Sequence, residues 1–342
     1  MHFWAAPEQH TVGGLTEKAS TDRFLSRWIL LTVGPVPARA YRLGGCDRSI
    51  TTGSHPVGEA QTLSKSNPRS TRGAQSAESL KGAAMADADL PRYDRDFLLS
   101  PAKRNQIIEL WEVEKFGRDS FGDPDAVSLY GMTPDQWHAR GVRILARTTL
   151  EAVRDPLGNG IGEDVARIAA RAPPGSVFGV VDPFAGSCNG LFWILRHLPG
   201  AEGLGFEFEQ AIFDMSARNI ESLGASIKLV HGDYGKLLGQ HRFPGAHHIV
   251  AFLAPPWADA LSAKAGLDLG RTKPPIENIV DEFERIYSNN PILYVTEVHE
   301  RLVPEPLAAL CARFEWSALN IYDVPGPTGR HGVLLGTIRW KG

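Results

Sequence analysis

The feature that most constrains the fold is the run from Ser176 to Leu198. Val177-Phe178-Gly179-Val180-Val181 is a short apolar segment rich in β-branched residues and bounded by turn signals, the pattern of a strand buried on both faces of a parallel sheet. It passes directly into Asp182-Pro183-Phe184-Ala185-Gly186-Ser187-Cys188-Asn189-Gly190, and then into the apolar helix candidate Leu191 to Leu198. Strand, glycine-bearing turn and helix place a ligand crevice at the carboxyl end of the strand. Gly186 permits close approach of backbone to a ligand, and Asp182 is placed to accept from an ammonium or a backbone amide.

The pattern then repeats. Leu204 to Phe208 reads as the next strand, with Glu207 at its tip, 25 residues after Asp182. An acid at that tip can take both hydroxyls of a ribose. Gln210 to Leu223 follows as an amphipathic helix closed by Gly224. Ile227 to Val230 is a third strand, followed by His231-Gly232-Asp233-Tyr234. Asp233 can accept from an exocyclic amino group, and Tyr234 can cover an adenine face. After a fourth strand, Ile249 to Leu253, comes Ala254-Pro255-Pro256-Trp257. The two prolines hold the chain extended and remove two backbone donors, so the carbonyls are oriented at low entropic cost beside an indole. The adjacent His247 and His248 face opposite sides of an extended chain and do not read as metal ligands.

The ordered motifs of 177–257 resemble the core of class I S-adenosylmethionine-dependent methyltransferases. Asp182 to Asn189 is similar to the family's DPFxGxG loop, Glu207 to its ribose-binding acid, and Gly232-Asp233-Tyr234 to its adenine-side segment. Ala254 to Trp257 resembles the PP-aromatic motif of enzymes that methylate exocyclic amines of bases, and the SPPW motif of cap trimethylguanosine synthases. The resemblance implies a Rossmann-like α/β sheet with helices on both faces, a terminal antiparallel strand pair and S-adenosyl-L-methionine as cofactor. It assigns Asp182, Phe184, Gly186, Asn189, Glu207, Asp233, Tyr234 and Ala254 to the cofactor, and Pro255, Pro256, Trp257 and Asp259 to catalysis.

Two positions depart from the pattern. Cys188 stands in place of the loop's second glycine. Ala254 stands where base-directed enzymes place Asn, Asp or Ser, and a methyl group accepts no hydrogen bond, so that role passes to the Pro255 carbonyl or to Asp259.

Beyond the motifs, Ile276 to Ile286 reads as a helix, Pro291 to Thr296 as a fifth parallel strand, and Trp316 to Tyr322 with Val333 to Arg339 as the terminal pair. The intervening loop 258–275 carries Lys264, Arg271 and Lys273, which can meet phosphate. Upstream, Pro101 to Trp111 and Trp137 to Val153 show helical spacing, Thr133-Pro134 reads as a helix start, and Asp164 to Ala170 as the last turns of a helix.

Three regions are therefore expected. Residues 1–84 read as a disordered or processed extension, with Met85 as an alternative beginning; 85–171 read as a helical flank or lid; 172–342 read as the cofactor-binding domain. The extension carries 10 Lys or Arg against 6 Asp or Glu, while the remainder carries 26 against 33, and this shift marks the boundary. The formal net charge of the chain is -3, which gives no general attraction to nucleic acid or to a membrane. Three scattered cysteines form neither a disulfide framework nor a metal knuckle, and no apolar run approaches the length of a membrane span. The expected activity is N-methylation of a planar, amine-bearing acceptor in RNA or another nucleic acid. The alternatives are a small-molecule methyltransferase and an inactive cofactor-binding scaffold. A cytoplasmic location is expected, with organelle or nuclear targeting left open.

Overall fold

The computed structural model describes residues 40–41, 92–243, 245, 248–326 and 329–340. Of the first 84 residues only Ala40–Tyr41, a two-residue strand β1, is among them. The expectations for the rest of that extension, for Met85 and for His247 lie outside the described residues.

Five helices precede the sheet core: α1 (Arg95–Leu99), α2 (Leu110–Phe121), α3 (Pro134–Ala139), α4 (Thr148–Glu151) and α5 (Asp155–Ala169). Then come β2 (Phe178–Asp182), α6 (Asn189–His197), β3 (Glu202–Glu207), α7 (Gln210–Leu223), β4 (Ile227–His231), α8 (Tyr234–His241) and β5 (His248–Leu253). A small hairpin, β6 (Leu261–Ser262) and β7 (Gly266–Leu267), leads to α9 (Ile276–Ile286), β8 (Ile292–His299), α10 (Pro304–Cys311), β9 (Trp316–Gly326) and β10 (Gly329–Ile338).

The main sheet has the order β1-β9-β10-β8-β5-β2-β3-β4. β4, β3, β2, β5 and β8 run parallel, while β10 is antiparallel to both β8 and β9. The chain leaves β2 toward β3 on one side and returns to β5 on the other, so the β2/β5 boundary is the switch point where such sheets open a crevice. This is the Rossmann-like α/β sheet with a terminal antiparallel pair that the class I resemblance implies.

Alternation along each strand divides the core between two faces. Ile249, Ala251 and Leu253 pack with Ile276, Ile279, Val280 and Phe283 of α9, whereas Val250 and Phe252 pack with Leu157, Ile161 and Val165 of α5 and Leu191 and Ile194 of α6. Helices therefore cover both faces.

Two helical expectations upstream are corrected. Residues 101–106 form turns and α2 starts at Leu110, because the Glu109 and Glu112 side chains build a capping box there. Ile108 donates to the Ile144 carbonyl, and Ile107 bridges Leu145, so both apolar segments are held extended against each other. For the same reason 142–147 is not helical: α3 stops before Gly141, whose φ is 84°, and Val142, Ile144, Leu145 and Ala146 are buried in irregular chain. The Thr133-Pro134 start is present, with a Thr133/Gln136 capping box.

A buried acid joins α5 to the terminal pair. Asp164 accepts from Asn320 Nδ2 at 2.6 Å and Tyr322 Oη at 2.7 Å, and also pairs with Arg167. Removing it strands two buried donors. Asp164→Ala is expected to cost about 3 kcal/mol, read as a lower urea midpoint at unchanged slope, with a smaller loss in Asp164→Asn.

Candidate functional site

Asp182 ends β2, and the loop that follows turns back over the sheet edge. Asp182 Oδ1 accepts from the Phe184 amide at 3.0 Å, and the side chain is buried. Gly186 has φ 49°, and a Cβ placed there would meet nothing nearer than the Phe184 carbonyl oxygen at 3.8 Å; the backbone faces open space. At Gly190 a Cβ would meet the Phe252 ring at 2.5 Å, so that glycine seats the start of α6 against β5. Cys188 caps α6 in the left-handed region, φ 62°. The residue that replaces glycine thus adopts glycine's conformation, with its thiol buried against Ala185 and Ile220. Burial, then the charges of Asp182 and Glu207, push that thiol's pKa well up, which opposes the thiolate form.

Glu207 ends β3 behind this loop. Its Oε2 accepts from the Gly186 amide at 3.0 Å and its Oε1 from the Glu209 amide at 2.7 Å. Each oxygen keeps a further lone pair for a ligand hydroxyl. Burial raises its pKa, while these two amides and Arg147 oppose the rise. Arg147 also pairs with Glu151 and Glu209, tying α4 to the chain after β3. On the adenine side expected from the motifs, Asp233 caps α8 through the Gly235 amide, and Tyr234 meets Phe184 edge-on at 5.2 Å.

The crevice at the switch point is open to solvent, with a cavity volume of about 60 Å³. Asp182, Phe184, Gly186 and Ala254 line it, joined by residues not singled out from the sequence: Glu151 at the end of α4, Ala152 and Val153 after it, and Glu297 of β8. An adjoining groove shares Glu151, Ala152 and Glu297 and continues past Arg154, Leu157, Val324 and His331.

The other eight expected site residues do not line the crevice: Glu207, Asp233, Tyr234 and Pro255 stand at neighbouring strand and helix ends, and four are placed otherwise. Asn189 is fully buried and does not itself line the crevice: Nδ2 donates to the Val153 carbonyl and to Asp155, and Oδ1 accepts from the Tyr130 amide. It is a strut between loop and flank. Asp259 is exposed and pairs with Lys273 at 3.4 Å, so it does not take over the acceptor role absent at Ala254. Trp257 lines neither cavity; its half-buried ring lies 4.9 Å from His331 and 6.2 Å from His299. Pro256 is exposed, whereas Pro255 is buried beside Ala254. Among the described residues no group of three or more His, Cys, Asp or Glu is arranged to hold a metal, and no helix is long and apolar enough to cross a membrane.

Comparison with known proteins gives structural likeness only. No protein-family model matches the chain, and no curated protein matches it. The N-terminal domain of human METTL16 in complex with SAH is 13% identical over 73% of this chain and 95% of that one, with a TM-score of 0.43. Human methyltransferase 10 domain containing protein is 13% identical over 66% and 93%, at 0.40. Cofactor-bound Rv0187 from MTB is 11% identical over 69% and 100%, at 0.39. The fold assignment stands on strand order and register rather than on these values.

Asp182 carries a measurable consequence. Burial above all, and the charges of Glu207 and Glu297, raise its pKa to about 8 against the single Phe184 amide. The folded chain therefore binds one proton more than the unfolded chain between about pH 4 and 8, and stability falls as pH rises through that window. Asp182→Asn is expected to melt above the parent protein at pH 8, and the gap should close toward pH 4.

Proposed function

We propose that the chain transfers a methyl group from S-adenosyl-L-methionine to a nitrogen of a planar, amine-bearing acceptor. The observation that carries this reading is the row at the carboxyl ends of adjacent strands: Glu207 on β3, Asp182 on β2, and Ala254-Pro255 after β5, around an open Gly186. That row matches the groups of the cofactor. Glu207 retains acceptor capacity for two ribose hydroxyls, buried Asp182 suits the amino-acid ammonium, and the Phe184/Tyr234 pair suits a flat ring. The open backbone at Gly186 leaves room for close approach.

The cofactor supplies an activated methyl group on a sulfonium. The chain's own residues hold the reactants in line and exclude water. Pro255 lacks an amide hydrogen and fixes the strand end, and its carbonyl orients an amine. Glu151, Ala152 and Val153 wall the crevice from the flank side.

The resemblance of Ala254 to Trp257 to the PP-aromatic motif favours an acceptor in RNA or another nucleic acid. A small-molecule acceptor is the second reading, favoured by the carboxylates of Glu151 and Glu297 on the crevice lining, which repel phosphate. A radiolabelled-methyl assay over RNA, DNA, protein and small-molecule fractions separates them. Label in nucleosides supports the first and label in metabolites alone supports the second. A protein that binds the cofactor yet labels no fraction is the inactive scaffold.

Cofactor binding has its own test. Glu207→Ala removes charge-assisted hydrogen bonds worth about 1.5–3 kcal/mol each, so S-adenosylhomocysteine affinity should fall at least tenfold by calorimetry. Unchanged affinity in a folded Glu207→Ala protein overturns the orientation.

A further inference from the structure

Ala254 gives an incoming nitrogen no side-chain acceptor, yet the neighbouring strand brings one to the same level. β5 and β8 are parallel with Leu253 opposite Thr296; one step further along the same register, Ala254 stands beside Glu297. In the run Ile-Leu-Tyr-Val-Thr-Glu-Val-His of β8, Glu297 is the only acid among side chains that are otherwise buried. Its side chain is 13% exposed, and it borders both the crevice and the adjoining groove. It stands at their seam.

Its orientation is held from β10. His331 Nδ1 lies 3.0 Å from Glu297 Oε1, while Oε2 has no hydrogen-bond partner among the described residues. The imidazole is itself held in place: Trp257 lies against it at 4.9 Å, the His299 ring is 6.1 Å away, and a Cβ on Gly326 would come within 3.1 Å of Nε2. That Nε2 is buried without a partner among the described residues, so Nδ1 is the nitrogen with work to do, donating to the carboxylate.

We propose that Glu297 receives the proton of the acceptor nitrogen, in place of the side chain that Ala254 lacks, and that His331 is its positioning partner. The proposal rests on the methyltransferase reading above. The acceptor nitrogen forms a bond to the methyl carbon, whose bond to sulfur breaks with its electron pair left on sulfur. The N–H bond breaks with its pair left on nitrogen, and the proton passes to Glu297 Oε2 and on to solvent. The acceptor class follows from that balance: a primary or secondary amine, or an exocyclic amine of a base, each carrying an N–H to give. A tertiary amine has none.

Two unreactive ligands test this without knowledge of the acceptor. S-adenosylhomocysteine has a neutral sulfur at the reacting centre, whereas sinefungin carries an ammonium there, which stands in for the N–H-bearing cation. The parent protein should bind sinefungin at least tenfold more tightly by calorimetry. Glu297→Gln, nearly isosteric, should lower that ratio at least fivefold while S-adenosylhomocysteine affinity stays within twofold. Glu297→Asp, which withdraws the charge by one methylene, should lower it less and serves if the Gln variant does not fold. His331→Asn keeps a donor toward Oε1 and should retain the ratio, whereas His331→Phe should lower it at least threefold. An unchanged ratio in Glu297→Gln overturns the proposal alone, and equal ratios in the two His331 variants overturn the positioning role. Failure of the parent protein to bind either ligand overturns the methyltransferase reading and this inference with it.

Discussion

The parallel pairing of β2 with β5 is the constraint from which the site follows. Val180 and Val181 lie beside Val250 and Ala251 with no exposed surface, so the two strands are fixed side by side by burial on both faces. Their connections depart in opposite directions, and no helix can start across the gap between them. The residues that follow each strand therefore look into the same opening. Counting outward along the sheet, the strand ends present Glu207, Asp182, Ala254 and Glu297. Three of the four are acids.

Gathering carboxylates at a buried edge is costly, and the structure shows what offsets it. The amides of Phe184, Gly186 and Glu209 each donate to one of these acids, and the guanidinium of Arg147 stands behind Glu207. Asp182 receives one amide against two for Glu207, and burial pushes its pKa up to about 8. A bound cation would change that balance, since charge that repels within the cluster attracts an ammonium placed among it. The same crowding that weakens the unliganded fold favours a positively charged guest.

How far the sequence could be read depended on whether local periodicity or distant contacts decided the outcome. Gln210–Leu223 and Ile276–Ile286 have the bounds expected of them, because an apolar stripe and, for α7, a left-handed glycine cap settle a helix locally. The segments 101–111 and 137–153 have similar spacing, but 106–108 and 144–146 bury theirs by lying along one another, which no local window contains. α8 and α10 are eight residues each, two turns in which an apolar stripe does not repeat, and neither is among the expected elements. At the site, Asp182, Phe184, Gly186 and Ala254 were legible as motif and line the crevice. Asn189 shares the same motif but turns toward Tyr130 and Asp155, contacts set by a flank dozens of residues upstream. Glu297 had a signal that went unused: a lone acid inside an apolar strand, one register step past the end of β5.

The bonding of the loop to that flank reaches beyond the positions of a few atoms. Tyr130 gives its amide to Asn189 and its hydroxyl to the Ser187 carbonyl, and Asp155 collects Gly131, Asn189 and Trp193. All of these bonds but the one from Gly131 join the loop, or the helix after it, to chain that precedes β2. A fragment beginning at β2 would retain all the motif residues while its loop lost the donors and acceptors that give it one shape. The motif is thus not a portable cassette: grafted onto another sheet, it would need its own upstream scaffold to come with it.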